Sequence, residues 1–321
     1  MLSSAILLII LFSCLELLYF RLATRFNIID KPNSRSSHAI VTIRGGGIIF
    51  PLAFIMMTPI SGNNDYICLI CLTLVTCLSF LDDIKNLNSQ VRLVIQSLCV
   101  AGMVYSVMPE QSFFLILIAF ILVTGIINAY NFMDGINGIT AFYSIITIST
   151  LYWINNYISK LMPDLLFVSL ITALLVFSYF NARRRARCFA GDVGSVSIAF
   201  IICFLLLRLC IQTKTFFWIL FLGVYGVDTV FTICCRLIRK ESIFQAHRSH
   251  FYQFLVNEAG WSHLKVSSVY AIVQLLFNVI IIFSYMRHID FPIMLSIIGI
   301  LVIYTIFRLQ YEGRYRLFTA Y

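Results

Sequence analysis

The chain has 321 residues, of which 60% are hydrophobic and only 12% are charged, whereas about 25% of residues are charged in a typical soluble domain. This composition excludes an ordinary soluble protein. The formal net charge of +9 does not indicate a nucleic-acid partner, because the charges lie in short clusters between long apolar runs.

Apolar intervals recur along the chain at the length that a bilayer-crossing helix needs, roughly 17 to 25 residues. They predict an all-α integral membrane protein, a polytopic bundle of about eleven (ten or eleven) transmembrane helices that forms one domain over residues 1–321. The first interval has no Lys or Arg before it, so we expect a retained span and not a cleaved signal peptide. The predicted spans are 2–20, 45–61, 66–81, 91–108, 111–128, 138–155, 165–180, 196–212, 216–235, 267–286 and 291–307.

Basic residues are concentrated in alternate connections between these spans. Such a bias marks cytoplasmic segments, so it predicts an N-terminus outside the cell and a C-terminus in the cytoplasm. The predicted cytoplasmic segments hold 19 of the 23 Lys and Arg residues, and they are 21–44, 82–92, 129–137, 181–195, 236–266 and the tail from 308.

Carboxylates are costly near hydrocarbon, and nine of the fourteen fall on or near the predicted cytoplasmic face. We therefore expect the active site on that face. Asp82 and Asp83 end the third span, where the helix dipole disfavours negative charge. The two adjacent acids repel each other, so at least one is expected to hold a proton more tightly unless a cation compensates. An ordinary solvated helix end is the alternative for this pair.

The segment "NAYNFMDGINGI" places Asn128, Asn131 and Asp134 at three-residue intervals. Residues three apart share one face of a helix, so these side chains are expected to point the same way. A polar reverse turn between spans would explain the glycines of this segment, but it would not explain the shared face.

Two further segments carry polar residues onto the same face. "FAGDVGS" (189–195) opens the eighth span with Asp192, which can act as a helix cap or as a functional acid. The sixth and eighth spans both start at this face, and two helix N-termini favour a bound polyanion. His247, Arg248 and His250 in the longest cytoplasmic loop suit phosphate recognition, although loop histidines are usually solvated surface.

Taken together, these residues resemble the polyprenyl-phosphate N-acetylhexosamine-1-phosphate transferase family (glycosyltransferase family 4), membrane enzymes that start bacterial glycan assembly on a lipid carrier. The resemblance spans nearly the whole chain, and "NFMDGING" with "AHRSHFYQ" is most similar to the O-antigen and capsule-initiating branch. The matching pieces, in the order of the family, are "DKPNSRSSH…TIRGGG" (30–47), "FLDD" (80–83), "NAYNFMDGING" (128–138), "FAGDVGS" (189–195) and "VDTVFTICCRLIRKESIFQAHRSH" (227–250).

The resemblance implies transfer of a sugar 1-phosphate, of N-acetylhexosamine type, from a UDP-sugar to undecaprenyl phosphate with release of UMP. This reaction would initiate a surface glycan such as the lipopolysaccharide O-antigen at the bacterial inner (plasma) membrane. The implied cofactor is Mg²⁺, with Mn²⁺ as the alternative ion, and the resemblance allows a homodimer. The peptidoglycan and teichoic-acid branches of the family, and a polytopic transporter, are the competing hypotheses.

The resemblance also implies roles for single residues. Asp192 matches the main metal ligand, and Asp82 and Asp83 match an acidic pair that activates the lipid phosphate or assists metal binding. The substrate-binding positions that it implies are Asn128, Asn131, Asp134, Asn137, Phe189, His247, Arg248 and His250. Among these, Asn128, Asn131 and Asp134 match a polar cluster on the nucleotide side of the site. Phe189 matches an aromatic residue that stacks on uracil, and Asn137 stands where many members have a second Asp.

Two routes for the reaction remain open. Asp82 would orient or deprotonate the lipid phosphate for direct attack, or a carboxylate would form an aspartyl intermediate in a double displacement.

Overall fold

In this computed structural model the described residues are 2–31, 40–60, 62, 65–85, 87–242 and 248–319, with side chains from residue 5 onward. Two 3₁₀ helices, Gly46–Ile48 and Phe216–Leu222, and two short strands, β1 (Ile29–Asp30) and β2 (Thr42–Ile43), accompany the α-helices. The α-helices are α1 (Leu2–Arg25), α2 (Ile49–Ile60), α3 (Tyr66–Lys85), α4 (Ser89–Val107), α5 (Phe113–Met133), α6 (Ile139–Tyr157), α7 (Asp164–Asn181), α8 (Gly191–Thr213), α9 (Gly223–Ile238), α10 (Phe251–Asn257), α11 (His263–Arg287) and α12 (Phe291–Phe318).

Every predicted apolar interval overlaps helical structure, and the intervals 45–61 and 216–235 each cover a 3₁₀ helix and the α-helix that follows it. Within the described ranges, nine helices are long and apolar enough to cross a membrane. The apolar segment Gly46–Ile60 is shorter, and α6, which is interspersed with serine, threonine and asparagine, is not among the nine. The protein is thus a multi-pass helical membrane protein, and the exact count of eleven spans stays a prediction.

Several helices extend past the apolar intervals that predicted them. Helix α3 continues to Lys85 and α5 to Met133, so Asp82, Asp83 and Asn131 are helical and not part of connecting loops as the predicted segments 82–92 and 129–137 had them. The polar side chains at these ends find partners on neighbouring elements, as described below, so the backbone can keep its helical hydrogen bonds.

Helix α8 is the central element of the bundle. The run from Val193 to Leu207 is buried, because the sequence is apolar on every side of the helix and α2, α3, α4 and α5 pack around it. Helices α1 and α12 instead expose many large apolar side chains, as expected of surfaces that face lipid. The fold thereby places the N-terminal end of α8, and with it Asp192, in the middle of the molecule.

A short hairpin brings the glycine-rich segment to that end of α8. Strands β1 and β2 pair antiparallel, with Ile29 opposite Ile43, and Ile43 also forms a parallel bridge with Cys188. The chain around 42–47 therefore lies beside the segment 188–194 that starts α8. Residues 32–39, which belong to the first matching piece of the sequence, lie outside the described residues.

Candidate active site

Three carboxylates meet at the N-terminal end of α8. Asp82 and Asp83 come from the last turn of α3, and Asp192 comes from the first turn of α8. The backbone N–H groups of Asp192 and Val193 donate to the two oxygens of Asp83, at 2.9 and 3.0 Å. Asp83 therefore caps α8 from a neighbouring helix, which satisfies two of the N–H groups that a helix start leaves open.

Two arginines compensate these acids. Arg44 Nε lies 2.6 Å from Asp83 Oδ1, and its Nη2 lies 3.3 Å from Asp192 Oδ1. Arg92, in the first turns of α4, places Nη1 at 2.5 Å from Asp82 Oδ2 and at 2.9 Å from Asp192 Oδ2. Each oxygen of Asp192 thus contacts one arginine.

These contacts change the pKa of Arg44, and a further hydrogen bond holds the side chain of Asp82 in place. Burial acts to lower the pKa of Arg44, but the facing carboxylates of Asp83 and Asp192 outweigh burial and raise it above its ordinary value. Asp82 Oδ1 accepts the backbone N–H of Leu87 at 2.7 Å, which ties the connection between α3 and α4 to the same cluster.

Close contact between glycines brings Arg44 into this position. The N–H of Gly47 donates to the carbonyl of Ala190 at 3.1 Å. A Cβ on Gly47 would lie 2.4 Å from the Cα of Gly194, so the two backbones touch where no other residue would fit. Gly191 adopts φ +70°, and a Cβ there would lie 2.5 Å from Asp83 Oδ2.

The polar face of α5 lies at the same end of the bundle. Asn131 Nδ2 donates to Ser195 Oγ in the first turns of α8 at 2.9 Å, whereas Asn128 Nδ2 donates to the carbonyl of Thr124 in its own helix at 2.8 Å. Asp134 follows the end of α5 and accepts a hydrogen bond from Thr140 Oγ1 at 2.6 Å.

The pKa of Asp134 is raised to about 6. Burial is the largest cause, and the negative charge of Asp192 adds to it, while the bond from Thr140 and the charge of Arg44 act in the opposite direction. Asp134 thus holds a proton more tightly than an exposed carboxyl does.

Both helix N-termini that the sequence offered for a polyanion are already occupied by side chains. Asp83 binds the first N–H groups of α8, and Asn181 Oδ1 accepts the N–H of Gly138 at the start of α6 at 2.7 Å. Buried helix starts next to apolar surroundings recruit such side-chain caps, and binding of a polyanion at the remaining N–H groups stays a prediction.

Asn137 joins three segments. It is buried, its N–H donates to His263 Nδ1 at 3.1 Å, and its Nδ2 donates to the carbonyl of Arg183 at 2.7 Å. Its own carbonyl accepts a bond from Ser267 Oγ at 2.9 Å. These contacts give Asn137 a structural task that an Asp could not perform in the same way, since a carboxylate has no proton to donate to the Arg183 carbonyl.

The predicted substrate-binding residues of the segment 247–250 differ in their surroundings. His247 lies outside the described residues, and Arg248 is half-buried. His250, by contrast, is 2% exposed, and its Nδ1 lies 3.0 Å from Asp228 Oδ1 in α9. Phe189 is half-buried and comes three residues before Asp192, on the segment that pairs with Ile43.

Four residues of the site, Arg44, Arg92, Tyr252 and His263, were not predicted from the sequence. Arg44 stood inside a quoted piece and Arg92 counted only toward charge orientation, because nothing in their local sequence shows which distant acids they contact. Tyr252 is buried, and its hydroxyl donates to the carbonyl of Phe132 at 2.8 Å, so it links the histidine segment to the turn at Asp134.

Comparison with known proteins agrees with this geometry. The family model described as "Glycosyl transferase family 4" matches residues 66–210, which contain the three carboxylates, the polar face of α5 and Phe189. The chain is similar to this family over residues 66–210. The resemblance identified from the sequence is thereby confirmed.

Three relatives illustrate what this chain is similar to. "Probable undecaprenyl-phosphate N-acetylglucosaminyl 1-phosphate transferase" of Bacillus subtilis is 27% identical over 281 residues, 81% of this chain and 78% of the relative. "Undecaprenyl-phosphate alpha-N-acetylglucosaminyl 1-phosphate transferase" of Escherichia coli K12 is 26% identical over 294 residues, with 81% and 77% covered. "Phospho-N-acetylmuramoyl-pentapeptide-transferase" of Thermotoga maritima is 26% identical over 258 residues, with 73% and 82% covered.

The glycine contact predicts a sharp difference between two identical substitutions. Gly47→Ala is expected to separate the two backbones and to lower activity by about tenfold or more, because misplaced charged groups lose their orientation. Gly125→Ala, in α5, adds a Cβ in open space and should leave activity and stability near the wild type or slightly raise stability. Equal activity of the two purified variants would contradict the role that we assign to the contact between Gly47 and Gly194.

The raised pKa of Asp134 predicts a pH-dependent stability. The folded carboxyl binds its proton up to a pKa of about 6, against an ordinary value of 3.8, so the folded state loses stability as pH rises through that window. Asp134→Asn keeps an acceptor for Thr140 and removes this cost. In detergent with EDTA, its melting temperature at pH 8 should exceed that of the wild type by about 2 °C or more, and the difference should vanish at pH 4. A lower melting temperature at pH 8 would be contrary to the assignment.

Proposed function

We propose that the chain transfers a sugar 1-phosphate from a UDP-linked N-acetylhexosamine to undecaprenyl phosphate, giving an undecaprenyl-diphosphate sugar and UMP. The observation that carries the proposal is the environment of Asp192 at the start of α8. Each of its carboxylate oxygens contacts an arginine, and one of these arginines also contacts Asp82. A cluster of three carboxylates and two guanidinium groups at one helix end suits a reaction between two phosphates. The activities for which the Bacillus and Escherichia relatives are named support this sugar class.

The branch of the family is part of the proposal. We assign the product to the initiation of a surface glycan such as the O-antigen, on the similarity of "NFMDGING" and "AHRSHFYQ" to that branch. The similarity to the Thermotoga enzyme keeps the peptidoglycan branch as the second candidate. The two differ in the UDP-sugar that supports turnover, so a panel of UDP-sugars separates them.

The donor set fits a divalent cation by its chemistry, because carboxylate oxygens are the ligands that Mg²⁺ takes in proteins and Mn²⁺ shares them. In the part of the chain that the structure describes, no group of three or more His, Cys, Asp and Glu side chains is arranged as a metal site. Asp192 and Asp82, which both pair with Arg92, would hold the ion. Both oxygens of Asp83 accept backbone N–H groups, so we assign Asp83 to holding α8.

A bound Mg²⁺ would neutralise charge on the diphosphate. Arg44 and Arg92 supply further positive charge, and their side chains are 26% and 33% exposed, so they can turn from the carboxylates toward phosphate oxygens. This exchange of partners keeps the cluster neutralised both with and without substrates.

The reaction step follows from these placements. An oxygen of the lipid phosphate attacks the phosphorus that carries the sugar, the bond between the two phosphates of the UDP-sugar breaks, and UMP leaves with the electron pair. Asp82 orients the lipid phosphate or takes its proton. Attack by a carboxylate, followed by transfer to the lipid phosphate, is the competing route.

An apolar groove offers a place for the polyprenyl chain. It has a volume of about 270 Å³ and runs between α5, α8 and the 3₁₀ helix Phe216–Leu222. Leu122 and Ile126 line it on α5, the helix whose end carries Asn131, and Leu206 and Phe216 line the opposite wall. Its lining extends along α5 from Leu115 to Ile126 and along α8 from Cys203 to Ile211, so it lies about three helical turns along α8 from Asp192.

We also propose that all eleven helical spans cross the membrane with the N-terminus outside, so that the carboxylate cluster lies at the cytoplasmic face. Alkaline phosphatase fused after Lys214, between α8 and α9, should then be active in whole cells. A green fluorescent protein fused after Tyr321 should fluoresce. An active phosphatase after Tyr321 would show that the orientation is reversed.

The assignment of Asp192 predicts how UMP release responds to substitution. The purified wild type should release UMP with undecaprenyl phosphate, a UDP-N-acetylhexosamine and Mg²⁺, and release should cease in EDTA. Asp192→Asn should reduce release at least about 100-fold, since it removes the charge that organises the cluster. Asp65→Asn is the matched control, because Asp65 pairs with Arg208 near the opposite end of α8 and should leave release unchanged. Unimpaired release by Asp192→Asn would refute the assignment.

A further inference from the structure

A second cluster of buried charges lies apart from the three carboxylates and has its centre at Asp228 in α9. Asp228 is fully buried, and its Oδ2 accepts the hydroxyl of Tyr270 in α11 at 2.5 Å. Its Oδ1 lies 3.0 Å from His250 Nδ1 and accepts the backbone N–H of Phe251 at 3.3 Å. Charged groups in membrane helices are costly and therefore tend to have a specific task.

Arg308 in α12 approaches the same segment from another helix. Its side chain is 1% exposed although α12 is otherwise largely exposed. Nη2 donates to the carbonyl of Ser249 at 3.0 Å, and Nη1 donates to Thr232 Oγ1 at 3.1 Å. Glu312 forms an ion pair with Arg308 and balances its charge.

The two charged residues therefore hold the backbone of one short segment. Arg308 binds the carbonyl of Ser249, and Asp228 binds the N–H of Phe251, two residues later. Helices α9, α11 and α12 thereby fix the direction in which the chain enters α10. The next residue in the chain is Tyr252.

Tyr252 transmits this placement to the catalytic end of α5. Its hydroxyl donates to the carbonyl of Phe132 at 2.8 Å, two residues before Asp134. A Cβ on Gly135 would lie 2.2 Å from the Tyr252 hydroxyl oxygen, so the ring and the turn are in direct contact. Any shift of the segment 249–251 would move Tyr252 against the turn that presents Asp134.

We propose that Asp228 and Arg308 are positioning residues that hold Tyr252 against the Asp134 turn and so set the geometry of the donor-nucleotide side of the site. The expected effect on turnover rests on the proposed function. The expected effect on the structure of the Asp134 turn rests on the contacts alone. His250 belongs to this positioning network through its contact with Asp228.

The structural consequence can be measured without any turnover. In Asp228→Asn, hydrogen exchange of the backbone amides at 132–138 should become about tenfold faster, since the turn loses its fixed neighbour. Tyr270→Phe removes only one hydroxyl from Asp228 and should raise the same rates by a smaller factor, which covers the case that Asp228→Asn does not fold. Asp65→Asn, at the far end of α8, is the matched control and should leave these rates unchanged. Unchanged exchange at 132–138 in both Asp228→Asn and Tyr270→Phe would overturn the proposal.

Kinetic constants for the two substrates distinguish a positioning role of Asp228 from a general loss of stability. With the active wild type as reference, Asp228→Asn should lower kcat/KM for the UDP-sugar about 10- to 100-fold and leave the KM for undecaprenyl phosphate unchanged. Because Asp228 acts through Tyr252, the double variant with Tyr252→Phe should lose little more than the larger single loss. The proposal would be overturned if the loss in the double variant equalled the product of the two single losses. It would also be overturned if the kinetic constants for both substrates changed equally. A wild type that transfers no sugar phosphate would refute the proposed function alone, and the exchange measurement would still decide the positioning.

Discussion

The hydrogen bonds from the start of α8 to Asp83 are the interaction on which the site depends. Helix α8 is buried from Val193 onward, and a buried N–H group that is left without an acceptor costs about 1–3 kcal/mol. Asp83 meets this requirement and brings Asp82, its neighbour in α3, to the same place. The resulting negative charge is held only because Arg44 and Arg92 approach it. The approach of Arg44 needs the glycine contact between Gly47 and Gly194.

The molecule contains two ionic networks, and they differ in exposure and in the atoms that they contact. The cluster at α8 contains groups that are partly exposed and can exchange partners, as expected of groups that meet phosphates. The cluster at Asp228 and Arg308 is enclosed, and its contacts end on backbone atoms of 249–251. The first network is suited to chemistry and the second to holding a segment in place. A transporter would instead be expected to carry charges along a pathway through several spans, and neither network has that form.

The sequence predicted the helices and the acids well, because hydropathy and membrane cost act locally. Apolar runs located every span-length helix, and the scarcity of carboxylates made Asp82, Asp83, Asp134 and Asp192 conspicuous. The partners of these acids were not predictable, since Arg44 and Asp192 are 148 residues apart and Arg92 and Asp192 are 100 apart. His250 illustrates the same limit: its loop position suggested phosphate recognition, but its burial against Asp228 depends on how α9 and α10 pack. The capping of α8 by Asp83 was likewise invisible, because a cap in sequence is sought beside its helix and this one comes from α3.

The central claim is that one phosphate, with its sugar, passes to the lipid at the carboxylate cluster. The most direct measurement uses two UDP-N-acetylhexosamine samples, one labelled with ³²P at the phosphate next to uridine and one at the phosphate next to the sugar. With undecaprenyl phosphate and the purified protein, the label next to the sugar should enter the lipid fraction and the label next to uridine should remain in water-soluble UMP. Recovery of the uridine-side label in lipid, or of neither label, would contradict the account.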